Sequence, residues 1–295
     1  MREEAVLFGI ETPLVGVLTF PAESAEPNGS PGAILLNAGI ISRVGPNRVY
    51  VKLARNLAAL GLPVLRFDLS GIGDSPARRD HLPFYRSAVS ETKEAMDYVT
   101  LVTGVEQFVL MGICSGANLS YRTALQDPRV VGAALLNPRD HLHAGSKESR
   151  AAIRSRALRR HYWRIAFCSS FSAKIWANLL AGRARRGTVM KAARGLRPGD
   201  LFASRWAVST VVDEAEARLR SLAGRGTRVL HVYSEGDEGL DYLQAVFGPR
   251  LGAWRAEGLL ELEVIRGANH TFTLLQSQER LLEVLCDWVR KRVRE

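Results

Sequence analysis

The sequence contains no run as long as the ~18 apolar residues that a membrane-spanning helix needs. Cysteine is scarce: Cys114, Cys168 and Cys286 stand far apart, odd in number and without metal-type spacing. That argues against a disulfide framework and against a cysteine-bound metal. There is no internal repeat and no low-complexity tract. A phosphate-cradling loop is missing too, since Gly71-Ile72-Gly73 lacks the third glycine of a dinucleotide fingerprint. No metal and no organic cofactor is therefore implied. The first residues, MREEAVLFGIETP, include acidic side chains and only a short apolar stretch, unlike a secretory signal, so a cytoplasmic location is expected.

What is present suffices for a folded globular protein. The 295 residues are 46% hydrophobic and 24% charged, enough for a substantial core in one large domain or two small ones. The formal net charge of +10 is unevenly placed. Residues 139–226 hold 19 Lys+Arg against 6 Asp+Glu, while the rest of the chain is slightly acidic, with 21 against 24. The excess positive charge thus marks one segment as a candidate module.

Outside that segment, strand-like and helix-like stretches alternate. Residues 5–9 and 14–20 read as a hairpin around a Thr-Pro turn, and 33–37 as a strand buried on both faces. A helix ending at Gly61, a strand at 63–68, a helix from Phe84, a strand at 107–111, a helix at 117–126 and a strand at 130–137 follow. The rhythm stops from 139 to 226, where apolar spacing is helical and arginines are frequent. It resumes with a strand at 228–234, a helix near 240–248, a strand at 260–265 and a last helix with Leu281, Leu282, Leu285, Trp288 and Val289 on one face. Such alternation predicts an α/β domain with a mostly parallel central sheet and helices on both faces. The expected organisation is a core from 1–138 and 227–295, with 139–226 as a basic helical lid insertion.

The chemistry concentrates at Gly112-Ile113-Cys114-Ser115-Gly116, between a predicted strand and a predicted helix. A G-x-nucleophile-x-G turn in that setting lifts its middle side chain above the sheet. The middle residue is Cys114; Ser115 falls one place too late. A helix N-terminus beside a thiol favours the thiolate.

Six histidines compete as its base. His270 follows the last predicted strand and fits the chain order nucleophile, acid, histidine. His231 lies within a strand and is expected to pack there. His141, His143 and His161 fall in the basic segment, where structural or surface roles fit better, and His81 has no supporting context. The acid should close the strand before His270. Asp237 is the first choice, with Glu235, Glu238 and Asp241 as competitors; its task would be to hold the imidazole tautomer. An oxyanion hole would pair the Ser115 amide with one from Asn37-Ala38-Gly39-Ile40, at Gly39 or an immediate neighbour.

These residues, with the turn Asp68-Leu69-Ser70-Gly71-Ile72-Gly73-Asp74-Ser75, resemble the α/β-hydrolase superfamily, in its serine aminopeptidase-like and esterase-like branch. The turn is similar to the family's D-x-R-G-x-G-x-S stretch, with Ser70 in place of arginine. The likeness covers nearly the whole chain outside the lid. Asn37-Ala38 stands where the family has His-Gly, and Cys114 replaces serine, as in the dienelactone hydrolase and polyhydroxyalkanoate synthase branches. Nothing in the sequence points to aminopeptidase activity itself.

A thiolate nucleophile implies a small-molecule ester or thioester substrate and an acyl-cysteine intermediate, with hydrolysis or acyl transfer as the outcome. Clustered arginines, including Arg154, Arg156, Arg159 and Arg160, would attract an anionic partner such as acyl-CoA or an acyl carrier protein. A solvated helix face competes with that reading. Trp163 and its aromatic neighbours would line an acyl pocket or pack lid helices together. The absence of any recognition motif argues against nucleic acid, and a membrane-surface role for the basic helices ranks with it. An inactive binding scaffold is opposed by the intact nucleophile, acid and base candidates.

Overall fold

The computed structural model describes residues 1–21, 30–139, 141–142 and 200–293. Its strands are β1 Arg2–Phe8, β2 Leu14–Phe20, β3 Gly32–Leu36, β4 Val64–Phe67, β5 Phe108–Ile113, β6 Val130–Leu136, β7 Arg228–Ser234 and β8 Glu261–Ile265. Between them lie α1 Val49–Ala59, α2 Phe84–Thr103, α3 Ser115–Gln126, α4 Asp200–Gly224, α5 Glu238–Ala256 and α6 Leu275–Arg292. The strands form one eight-stranded sheet in the order β1-β2-β4-β3-β5-β6-β7-β8. Only β2 runs against the others: it pairs antiparallel with β1 and with β4, and every later pairing is parallel.

Burial follows from this topology. Every residue of β3, β4 and β5 is buried, as strands covered on both faces require. One core cluster packs β-strand side chains such as Leu110, Leu135 and Tyr233 against α2, α3, α4 and α5. The other packs Leu35, Met111 and Val232 against α1 and α6. In α6, Leu281, Leu285, Trp288 and Val289 are buried on one face and Leu282 is partly so, which is the stripe read from their spacing. Each such buried side chain contributes roughly 1.5–3 kcal/mol of hydrophobic stabilisation.

Two stretches differ from expectation. The helix read near 240–248 continues to Ala256 through Pro249. Leu243, Phe247, Leu251 and Trp254 recur at four- and three-residue steps and are all buried, so packing outweighs the proline penalty. Within the segment 139–226, residues 143–199 lie outside the described residues, as do Arg154, Arg156, Arg159, Arg160 and Trp163. Its last part is α4, whose Val211, Ala215, Leu219 and Leu222 are buried in the same cluster as α3 and α5. Glu216 of α4 accepts from Trp254 Nε1 of α5 at 3.0 Å, tying the two helices together.

The chain order turns around between β3 and β5: β3 leads outward to β4 on one side, and β5 begins the run to β8 on the other. Loops leaving such neighbouring strands diverge and open a crevice at their C-terminal ends, where parallel sheets place their sites.

Candidate active site

The crevice between β3 and β5 is filled by two tight turns. At the end of β5, Cys114 adopts φ 57 and ψ −109, a backbone conformation that side chains rarely take, and it caps the N-terminus of α3. The flanking glycines are required by close approach. A Cβ at Gly112 would overlap the Gly116 backbone, and one at Gly116 would overlap the Leu36 and Asn37 carbonyls. The Cys114 amide donates to Leu136 O at 2.9 Å, so the sheet ladder continues into the turn itself. Tyr50 of α1, fully buried, braces the same place: its hydroxyl accepts from Ile113 N and donates to Leu36 O, both at 2.8 Å. That one phenol fixes the spacing between the strand ends that carry the two turns. Burial, and after it the charge on Cys114, pushes the Tyr50 phenol pKa upward, so it stays a neutral donor.

After β3, Asn37 and Asp68 clamp the neighbouring loop. Asn37 Nδ2 donates to Ile41 O at 3.0 Å and to Asp68 Oδ1 at 3.3 Å, while its Oδ1 accepts from Leu69 N at 2.9 Å. The wholly buried Asp68 also receives the Arg43 amide and the Arg43 guanidinium. An arginine thus serves this turn from a different position, while Ser70 bonds Glu91 through its amide and hydroxyl. Gly39, at φ 61, donates its amide to Ser115 Oγ at 2.7 Å. The two expected oxyanion donors therefore lie on neighbouring turns, with the Gly39 N–H occupied by the Ser115 hydroxyl.

His270, on the loop between β8 and α6, reaches Asp237 directly and stands near enough to Cys114 for each to shift the other's pKa. Its Nδ1 lies 2.6 Å from Asp237 Oδ2. The other Asp237 oxygen accepts from Gly239 N at 2.8 Å, which fixes the carboxylate at the N-terminus of α5. Hydrogen bonding to Asp237 and then to Cys114 pushes the His270 pKa up to about 9. The reciprocal effect lowers the Cys114 thiol pKa: the His270 hydrogen bond is the largest cause, burial opposes it, and the charges of His270 and Arg139 add to it. Each group thus favours the charged form of the other. Cys114 is partly accessible and is a free thiol.

The competing residues are engaged elsewhere. Glu235 accepts from Gly267 N at 3.1 Å, Glu238 faces Arg139 at 3.8 Å, and Asp241 is buried in the first turn of α5. His231 packs in its strand as expected, fully buried, with Nε2 2.7 Å from the Nε2 of His141. His141 stands edge-on to Tyr121, so it too is a packing residue. His81 is exposed on its loop, and His143 and His161 lie outside the described residues.

Tyr50 and Asn137 escaped the reading of the sequence. Asn137 closes β6 at φ 45, is fully buried, and donates from Nδ2 to His270 O at 2.8 Å. The available signal was an amide side chain ending the otherwise apolar run VVGAALLN. Among the described residues, no group of three or more His, Cys, Asp or Glu side chains is placed to hold a metal ion.

Residues 31–179 match the serine aminopeptidase S33 family of hydrolases. Several solved structures share the fold along nearly the entire chain. A proline iminopeptidase from Mycobacterium smegmatis is 19% identical with a TM-score of 0.56, covering 99% of this chain and 98% of its own. An esterase from Pyrococcus furiosus is 12% identical with a TM-score of 0.57, covering 99% and 91%. A dienelactone hydrolase from Anabaena variabilis is 15% identical with a TM-score of 0.54, covering 99% and 98%. At these identities the likeness concerns the fold alone. No match was found among curated proteins.

Proposed function

We propose, since this chain belongs to the serine aminopeptidase S33 family of α/β hydrolases, that it cleaves an ester or thioester through a Cys114–His270–Asp237 triad. The observation that carries this reading is the mutual perturbation of Cys114 and His270: the thiol pKa is lowered and the imidazole's raised, at the tip of a strained strand-to-helix turn.

In the first step the Cys114 thiolate attacks the carbonyl carbon. A C–S bond forms and the carbonyl π pair moves onto oxygen. The Ser115 and Gly39 amides receive that charge, the second once the Ser115 hydroxyl gives way; one such donor is typically worth about 3 kcal/mol in the transition state. Collapse breaks the bond to the leaving alkoxide or thiolate, which takes the proton of the His270 imidazolium. Acylation removes the thiolate that helped to hold that proton, so the His270 pKa falls. The ring then serves as base for a water that attacks the acyl carbon and releases Cys114. Asp237 holds the Nδ1 tautomer throughout. Ile40, nearly fully exposed beside Gly39, offers apolar surface to an acyl chain.

The same acyl-cysteine would pass its acyl group to another acceptor if one reached it before water, which is the acyltransferase reading, with acyl-CoA or acyl carrier protein as the donor. Intact-mass spectrometry after exposure to a panel of simple esters and acyl-thioesters tests the proposal. A transient acyl mass on Cys114 that decays in water is expected. Decay only on addition of an acceptor would turn the reading to transfer. No adduct from any member of the panel, together with turnover that survives Cys114→Ala, would refute both.

A further inference from the structure

We infer that Asn137 is a positioning residue for this site, a tie between the acid loop and the histidine loop that sets their separation. It touches neither thiol nor carboxylate and acts through the loops that carry His270 and Asp237. The inference rests on the triad reading above.

Asn137 is the first residue beyond β6, the strand flanked by β5 and β7, so it stands between the nucleophile turn and the acid loop. Its backbone is in the left-handed region, which asparagine tolerates better than other side chains. That conformation turns the amide away from the ladder and toward the loops. The backbone N–H donates to Val232 O at 2.8 Å, keeping the register with β7. Oδ1 then accepts from Ser234 N at 2.7 Å and from Ser234 Oγ at 3.2 Å, where β7 ends. Ser234 O in turn accepts the Asp237 amide at 3.1 Å, so this side of Asn137 reaches the acid through two short links. On the other side Nδ2 donates to the His270 carbonyl. Among the described residues no other hydrogen bond reaches that carbonyl. A single planar amide therefore fixes the main chain of His270 relative to the strand end from which Asp237 is hung. The adjoining segment presses the same way: Pro138 O lies so close to Gly239 that a Cβ there would overlap it, and Gly239 N holds Asp237 Oδ1.

The chemistry demands such a tie because the ring must satisfy two partners at once, Asp237 at Nδ1 and Cys114 on its far side. A displacement of about 1 Å from that geometry can cost ~100-fold in rate. Asparagine suits the position: its oxygen accepts on one side and its nitrogen donates on the other in one plane, and an ionised aspartate has no donor to offer.

Asn137→Asp is the discriminating variant. It retains size and the acceptor for Ser234 but loses the donor to His270 O and sets carboxylate lone pairs against that carbonyl. Two readouts are taken: kcat and KM for whichever ester acylates the enzyme, and the pH dependence of Cys114 alkylation by iodoacetamide, which needs no substrate. The expectation is a kcat reduced roughly 10- to 100-fold with KM within about twofold, and an alkylation midpoint moved upward toward that of a free thiol. Leu285→Ala, a buried truncation in α6, serves as the control for lost stability and should leave the midpoint in place. Should Asn137→Asp fail to fold, Asn137→Gly keeps the left-handed backbone without the side-chain bonds and carries the same expectation. An unmoved midpoint with native kcat, or a midpoint displaced equally by Leu285→Ala, overturns the inference. A midpoint that shifts in a protein whose Cys114 never acylates would sustain the tie and refute the acyl-enzyme reading instead.

Discussion

The turn from Gly112 to Gly116 carries its shape in five consecutive residues, whereas the loop holding His270 is held by Asn137, 133 positions earlier. In the turn, two glycines admit the close approach of backbone atoms and the strained residue between them is the proposed nucleophile. The His270 loop has no such pattern; Phe272 sits at φ 51 within it, and beside the local bonds of Asn269 and Gln278 it is anchored by side chains from just beyond β6 and from the segment before α1. One half of the site is thus built locally and the other assembled through the sheet. Damage to the first should abolish chemistry or folding, while damage to the second should detune it by degrees.

The largest effect is expected at the local half. Cys114→Ala should lower turnover by at least ~100- to 1000-fold and abolish any acyl adduct, read by steady-state kinetics and intact mass. Gly116→Ala should follow, because its Cβ meets the Leu36 carbonyl, a backbone atom that cannot swing aside. A loss of about 3 kcal/mol of stability is expected by denaturant titration; a stable, active Gly116→Ala protein would show that the turn relaxes more easily than its geometry says.

The assembled half should respond through pH. His270 keeps its proton up to about pH 9 because of Asp237 first and Cys114 second. With the folded value raised, the stability that this proton contributes is complete below the ordinary histidine range and is lost, with the imidazolium itself, as pH rises through about 9. The acylation limb of the rate profile should therefore fall near that pH. Asp237→Asn removes the leading cause, so the limb should move in the acid direction and turnover drop by ~100-fold or more. A profile unchanged by this variant would detach Asp237 from the site. The smallest effect, and the one that could raise activity, is expected at Ser115→Ala. Removing the hydroxyl frees the Gly39 amide, and at roughly 0.5–1.5 kcal/mol for such a bond kcat/KM should rise a few-fold. A fall would show that the hydroxyl assists the oxyanion instead of occupying its place.

The same contrast explains what the sequence revealed. Alternating apolar runs and turn residues mark the strands and helices, and the chain order of Cys114, Asp237 and His270 is legible because each stands at the end of a strand-like run. The helix read near 240–248 falls short of Ala256 because the packing of Leu251 and Trp254 is visible only in the folded protein. Tyr50 and Asn137 stay hidden for a different reason: their meaning lies in which carbonyls face them, and only the folded sheet brings Leu36, Ile113, Ser234 and His270 within reach. Charge clustering between 139 and 226 remains a statement about composition, since most of that segment lies outside the described residues.

A proton shared between one sulfur and one imidazole lies at the centre of the proposed mechanism. Titration of the His270 ring by NMR, in the wild-type protein and in Cys114→Ala, addresses it directly. A wild-type midpoint near 9 that falls when the sulfur is removed is the expected result. A midpoint in the ordinary histidine range, about 6.5, and indifferent to that substitution, would contradict it.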